Sequence, residues 1–154
     1  EANSLAEEVQ ELDTAEHKRS LRKVLVVDDS KMQRKRICEF LQIQGYNTEE
    51  AGDGFEALKA AENTNFSAFC VDIQMPLMDG YELIENLRKS SSYKNTPVFV
   101  ISGGHVNKES ILTRLEDLDV SNFFEKPVDL AALLTEVDIK LSIINEELQS
   151  GKQE

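Results

Sequence analysis

Four short apolar runs, each closed by a polar residue, constrain this chain more than any other feature. They are KVLVV (23–27), SAFCV (67–71), PVFVI (97–101) and VSNFF (120–124). Their apolar positions are continuous instead of alternating, as in strands covered on both faces. A fifth segment, YNTEEA (46–51), is more polar and suits a sheet edge. Between the runs, apolar residues recur at helical spacing. Ile37, Phe40 and Leu41 share one face, as do Leu83, Ile84 and Leu87, and Ile111, Leu112, Leu115 and Leu118. Gly45 and Gly52 mark joints, and Pro97 opens its strand, where a missing N–H costs least. Strand then helix, five times over, predicts an α/β fold. It is a doubly wound five-stranded parallel sheet, (β/α)5, with helices on both faces.

The two ends extend this pattern. SLAE (4–7) has the form of a capping box, and Leu5, Val9 and Leu12 recur at helical spacing, so an extra N-terminal helix is expected within 1–20. An extended C-terminal helix is predicted from about Asp129 to Leu148. Along it, Leu130, Leu134, Val137, Leu141, Ile144 and Leu148 lie alternately four and three residues apart, the spacing of a coiled-coil seam. The first half of that seam should cover the sheet. The second half either packs against the N-terminal helix or continues into a homodimer contact or a link to an effector domain.

Composition narrows the function. Asp and Glu number 29 against 17 Lys and Arg, a net charge of −12, which argues against direct nucleic-acid binding along a phosphate backbone. No run of about 18 apolar residues is present, so no membrane span is expected. The acidic start, EANSLAEEVQELD, lacks the basic and apolar regions of a secretory signal. Cys38 and Cys70 have no metal-like CxxC or CxxH neighbour and read as reduced packing residues, consistent with a cytoplasmic protein. His17 and His105 are isolated and read as surface residues.

The chemistry lies where the runs end. Asp28 and Asp29 follow the first, Asp72 the second, Ser102 the third and Lys126 the last. Taken singly, each has a plainer role. Asp29 or Ser30 would cap a helix, Ser102 would sit in a turn, Lys126 would be solvated, and Asp72 would join a turn with Pro76. In a parallel sheet, however, all of these positions lie at one carboxyl edge, where doubly wound proteins bind ligands. Two carboxylates about 5 Å apart repel by roughly 3 kcal/mol at an effective dielectric near 20. Three carboxylates therefore call for a cation beyond Lys126. Oxygen ligands of this hardness suit Mg²⁺, which readily shares a phosphate. A carboxylate beside such an ion, an amine and a hydroxyl is placed to attack phosphorus.

With these residues in place, the chain resembles the response-regulator receiver domains of two-component signalling. The resemblance covers residues 22 to about 142. It rests on VLVVDDS, VDIQMPLMDG, VFVISGG and FFEKP. It implies a flavodoxin-like strand order 2-1-3-4-5, and divides the chain into a helical extension (1–20), a receiver domain (21–142) and a C-terminal extension or tail (143–154). Asp72 then resembles the phosphoacceptor, supplied by a sensor histidine kinase or a histidine phosphotransfer protein. Asp29 is similar to a direct Mg²⁺ ligand and Asp28 to one acting mainly through water, with the backbone carbonyl of Gln74 as a further ligand. Ser102 and Phe123 resemble the coupled switch pair. Phe in place of the frequent Tyr removes a hydroxyl from the moving ring. Gly103 would leave the phosphate entrance open, and Gly80 matches the glycine after the acceptor strand. Output would pass through the fourth helix, fifth strand and fifth helix. The residues after the acceptor and hydroxyl that tune the attacking water are Gln74 and Gly104. A tight turn aiming Lys126 over the sheet edge predicts a cis Lys126–Pro127 bond.

Other readings compete. An aspartyl-nucleophile phosphatase combines acids, Mg²⁺ and Lys, but its D-x-D signature would need an acid where Ser30 stands. A nucleotide- or flavin-binding module of this architecture would present glycines or hydroxyls in the first loop, where two acids stand. A receiver that binds partners without phosphorylation would not retain every chemical position. His17 as a phosphodonor lacks a matching helix. The expected protein is thus a signalling domain that catalyses only its own phosphoryl transfer and slow dephosphorylation.

Overall fold

The computed structural model describes residues 15–103 and 107–144. Its elements in chain order are β1 (Lys23–Val27), α1 (Lys31–Ile43), β2 (Asn47–Ala51), α2 (Gly54–Asn63), β3 (Ala68–Asp72), α3 (Gly80–Lys89), β4 (Val98–Ser102), α4 (Lys108–Leu115), β5 (Asn122–Glu125) and α5 (Leu130–Lys140). A short 3₁₀ turn, Glu116–Leu118, follows α4, and residues 15–20 form a helical segment before β1. All strand pairs are parallel, in the order β2-β1-β3-β4-β5. The expected doubly wound sheet and strand order are both present.

Alternation along the central strands builds two cores. Leu25, Val27, Phe69, Val71, Val98 and Val100 face α2, α3 and α4, where Ala57, Leu83, Ile84, Leu87, Ile111 and Leu115 meet them. Val24, Val26, Cys70, Phe99 and Ile101 face α1 and α5, against Ile37, Cys38, Leu41, Leu133 and Val137. Burial on both faces is why these strands read as unbroken apolar runs. The helices start at polar caps. Ser30, Asp53, Asp79, Asn107 and Asp129 each accept a hydrogen bond from the first turn of their helix.

Four expectations need correction. Leu112 is 44% exposed, because Ile111 and Leu115 take the inward row and Leu112 lies a hundred degrees round. The last strand is Asn122–Glu125 instead of 120–124, and is half-buried because it forms a sheet edge. The last helix stops at Lys140 and does not run on through Ile144, since Ser142 turns into the left-handed region at φ 60. Its inward row is also Leu133, Val137 and Leu141; Leu130 and Leu134, the first members of the expected seam, are only half-buried. Leu5, Val9, Leu12, Gly104, His105 and Leu148 lie outside the described residues. Both cysteines are buried free thiols, and His17 is exposed. The Lys126–Pro127 bond is cis, as expected. Among the described residues, no helix is long and apolar enough to cross a membrane.

Candidate functional site

The carboxyl edge of the sheet gathers the charged residues. β3 and β4 each run one residue further than their apolar runs, so Asp72 and Ser102 are the last residues of strands. Both are buried, at 2% and 0% exposure, as is Asp28 at 1%. Asp29 is exposed. Carboxylate oxygens of Asp28, Asp29 and Asp72 all lie within 4.8 Å of one another.

The loops fix these groups in several ways. Asp28 is held through its amide, which donates to the Ala51 carbonyl, and through its own carbonyl, which accepts from Arg34 Nη1 at 2.8 Å. Its Oδ1 accepts from the Ser30 amide at 2.8 Å. Asp72 Oδ1 accepts from the Gln74 amide at 3.3 Å. The Lys126 amide donates to the Ser102 carbonyl at 2.8 Å, which carries the lysine back over the edge. Its Nζ sits 2.9 Å from Asp28 Oδ2 and 3.4 Å from Asp72 Oδ2. Gly80 is required by close approach: a Cβ there would lie 2.5 Å from the Asp72 carbonyl oxygen.

Electrostatics follow from burial. Desolvation, then the charge of Asp28, push the Asp72 carboxyl up to about 7, against the opposing pull of Lys126 and the Gln74 amide. Burial pulls the Lys126 ammonium down, but Asp28 and Asp72 outweigh it and leave the group raised. Three carboxylates face one ammonium. Asp28 Oδ2 is buried without an aligned hydrogen-bond donor, although Lys126 lies within ion-pair distance. An all-oxygen donor set of three carboxylates answered by a single ammonium fits a hard divalent cation.

Not every expected residue points into the pocket. The Ser102 hydroxyl donates to the Gly103 carbonyl at 3.3 Å instead of reaching Asp72. Phe123 is half-buried on β5, with Lys108 Nζ 5.9 Å from its ring centroid. Beside it a cavity of about 480 Å³ opens between Leu112, Leu115 and Val120. Gln74 is exposed, and its Oε1 lies 3.9 Å from where a Cβ on Gly103 would stand. Arg34 escaped the sequence reading. Its place one turn after the acidic pair was the available hint, and its grip on the Asp28 carbonyl is a feature of three-dimensional packing.

The chain is similar to known proteins in sequence and in fold. The family described as the response regulator receiver domain matches residues 24–138. A CAI-1 autoinducer sensor kinase/phosphatase, CqsS, of Vibrio cholerae serotype O1 is 35% identical over 117 residues, covering 75% of this chain and 17% of that protein. A probable transcriptional regulator, ycf29, of Pyropia yezoensis is 34% identical over 113 residues, covering 73% of this chain and 50% of that protein. The chain thus spans half or less of the length of these two relatives. A crystal structure of the Vibrio cholerae chemotaxis protein CheY4 superposes with a TM-score of 0.70 at 32% identity, covering 76% of this chain and 96% of that one.

Proposed function

The chain belongs to the response regulator receiver family, and from that premise we propose that it accepts a phosphoryl group on Asp72 and signals by a change of surface. It is a signalling domain of two-component systems and not a conventional enzyme. The observation that carries the proposal is the convergence of three carboxylates and one lysine at the carboxyl edge, with Asp72 buried at its centre.

Asp72 acts as the nucleophile. Its Oδ attacks the phosphorus of a phosphohistidine on a sensor histidine kinase or a histidine phosphotransfer protein. The P–N bond breaks as the O–P bond forms, and the nitrogen keeps the electron pair. Asp72 must be deprotonated to attack, and Lys126 favours that state. The same ammonium then lies beside the phosphoryl oxygens and offsets their charge. Asp28, Asp29, Asp72 and the Gln74 carbonyl would hold Mg²⁺. The ion supplies charge neutralisation on the transferring oxygens when bound.

The switch follows from what Ser102 lacks. Its hydroxyl rests on the Gly103 carbonyl through a long contact, 3.3 Å, that a phosphoryl oxygen can outcompete. When it turns, the space beneath Phe123 changes, and the ring moves inward. Output passes through α4, β5 and α5 to a partner, an effector domain or a second copy of the chain, in the cytoplasm. Intact mass after treatment with acetyl phosphate and Mg²⁺ tests the reading. The chain should gain one phosphoryl group, and Asp72→Asn should gain none. Labelling of Asp72→Asn, or equal labelling with and without a divalent cation, refutes it.

A further inference from the structure

Among the described residues, Asp138 is the one carboxylate buried outside the acidic pocket, at 3% exposure. It sits in the last turn of α5, where the helix dipole disfavours an anion. Its partners come from elsewhere. Arg19 donates from Nε to Oδ1 at 3.1 Å and from Nη2 to Oδ2 at 2.7 Å, and the Tyr46 hydroxyl donates to Oδ1 at 2.6 Å. Arg19 Nη1 reaches on to the Gln44 carbonyl at 3.2 Å. Arg19 lies outside the segment that matches the receiver family. A buried carboxylate deprived of such a partner is strongly destabilising, so α5 depends on residues 15–20.

Asp138 also ends its helix. Its carbonyl accepts from the Ile143 amide at 2.8 Å and the Ile144 amide at 3.3 Å, while the Ser142 amide donates to the Ile139 carbonyl at 3.1 Å. This double closure, with Ile143 turned into the second core, is a Schellman stop. α1 ends the same way, through Tyr46 to Leu41 and Gly45 to Gln42. The two stops differ in their central residue. α1 places Gly45 there at φ 111, whereas α5 places Ser142 there at φ 60, which an L side chain resists. Apolar spacing meanwhile carries the helical pattern of α5 on to Ile144. Local preference favours a longer helix, and packing imposes the stop. Ala15 and Ile144 pack against the same core, so the N-terminal segment is part of that packing.

We propose that residues 15–20 form a latch on Asp138 that decides how α5 ends. Latched, the chain turns back at Ser142 and buries Ile143. Unlatched, residues 141–144 leave the core and join α5 as a fraying, solvent-exposed last turn, whose amides open more often than in the packed stop. The latch lies at the amino edge of the sheet, at the opposite pole from Asp72, and does not depend on the phosphoryl reading. It connects residues 15–20 with the end of α5. A partner that draws on the N-terminal segment changes the helix by which the chain leaves the domain.

Amide hydrogen exchange on the full chain tests this, followed residue by residue in Arg19→Gln, Ser142→Gly and the double variant Arg19→Gln/Asp138→Asn, which leaves no unpaired buried carboxylate. Arg19→Gln should speed exchange at Ser142, Ile143 and Ile144 about tenfold while the amides of β1, β3 and β4 stay protected, and should raise helical circular dichroism. Ser142→Gly removes the cost of the left-handed residue, so it should slow exchange at the same amides about tenfold and restore protection in the Arg19→Gln chain. If Arg19→Gln loosens every strand, the double variant decides: strands protected and the three amides fast supports the latch. Unchanged exchange at those amides in a chain with protected strands overturns it, as does faster exchange in Ser142→Gly.

Discussion

Burial and the charge of Asp28 push the Asp72 carboxyl up to about 7, while Lys126 pulls the other way. In the proposed transfer, Lys126 favours the ionised acid that burial and Asp28 disfavour. The pocket mouth matters as much as its floor. Gly103 presents no side chain there, and among the described residues beyond its chain neighbours the Gln74 amide oxygen comes nearest to the space it leaves, at 3.9 Å. An exposed amide at that point can orient a water for attack on phospho-Asp72. Gln74→Ala should therefore lengthen the phosphoryl lifetime severalfold, read as loss of phosphoryl mass with time after donor removal. An unchanged or shorter lifetime removes Gln74 from that role. The acids, the lysine and Ser102 were legible in the sequence because each follows an apolar run. The direction of the Ser102 hydroxyl was not, since it is set by a single contact with Gly103.

Elements place these residues by their lengths and their joints. β1, β3 and β4 were plain in the sequence because burial on both faces demands unbroken apolar runs. β5 starts two residues later and ends one later than its apolar run because an edge strand carries no such demand. The end of α5 was misread because heptad spacing records only side-chain pattern, whereas the stop at Ser142 is made by backbone hydrogen bonds and the tuck of Ile143. The joint between β3 and α3 makes the sharpest demand. Gly80 opens α3, where alanine has the better helix propensity by up to about 1 kcal/mol. A Cβ there would lie 2.5 Å from the Asp72 carbonyl oxygen and 2.8 Å from Ile73 Cα, both backbone atoms that cannot swing aside. Overpacking of this kind costs about 1–3 kcal/mol and outweighs the propensity gain. Gly80→Ala should lower the unfolding free energy by about 2 kcal/mol in urea titrations and slow labelling of Asp72. A variant at least as stable as the parent means the joint relaxes more readily than its geometry implies.

Across the whole molecule, the two poles of the sheet solve opposite charge problems. At the amino edge Asp138 is answered by Arg19 and Tyr46, a pairing hidden in the sequence because its members lie 119 and 92 residues away. At the carboxyl edge the acids outnumber the one lysine, and the imbalance ties stability to pH. The Asp72 carboxyl rises in the fold from its ordinary 3.8 to about 7. Between those values the folded chain holds a proton that the unfolded chain has released, so the contribution of Asp72 to stability falls as pH rises. It is fully present below the lower value and lost once pH passes the upper one. A divalent cation takes the deprotonated carboxylate and opposes that loss, with linkage worth about 3 kcal/mol at a hundredfold excess over its Kd. Mg²⁺ should therefore raise the melting temperature more at pH 8 than at pH 6. Without metal, Asp72→Asn should be the more stable chain at pH 8, and its advantage should shrink towards pH 5. Thermal melts at the three pH values, with Mg²⁺ or EDTA, separate the terms. Equal Mg²⁺ shifts at pH 6 and 8, or an Asp72→Asn advantage that grows on acidification, would show that Asp72 is not the group whose charge the pocket strains to hold.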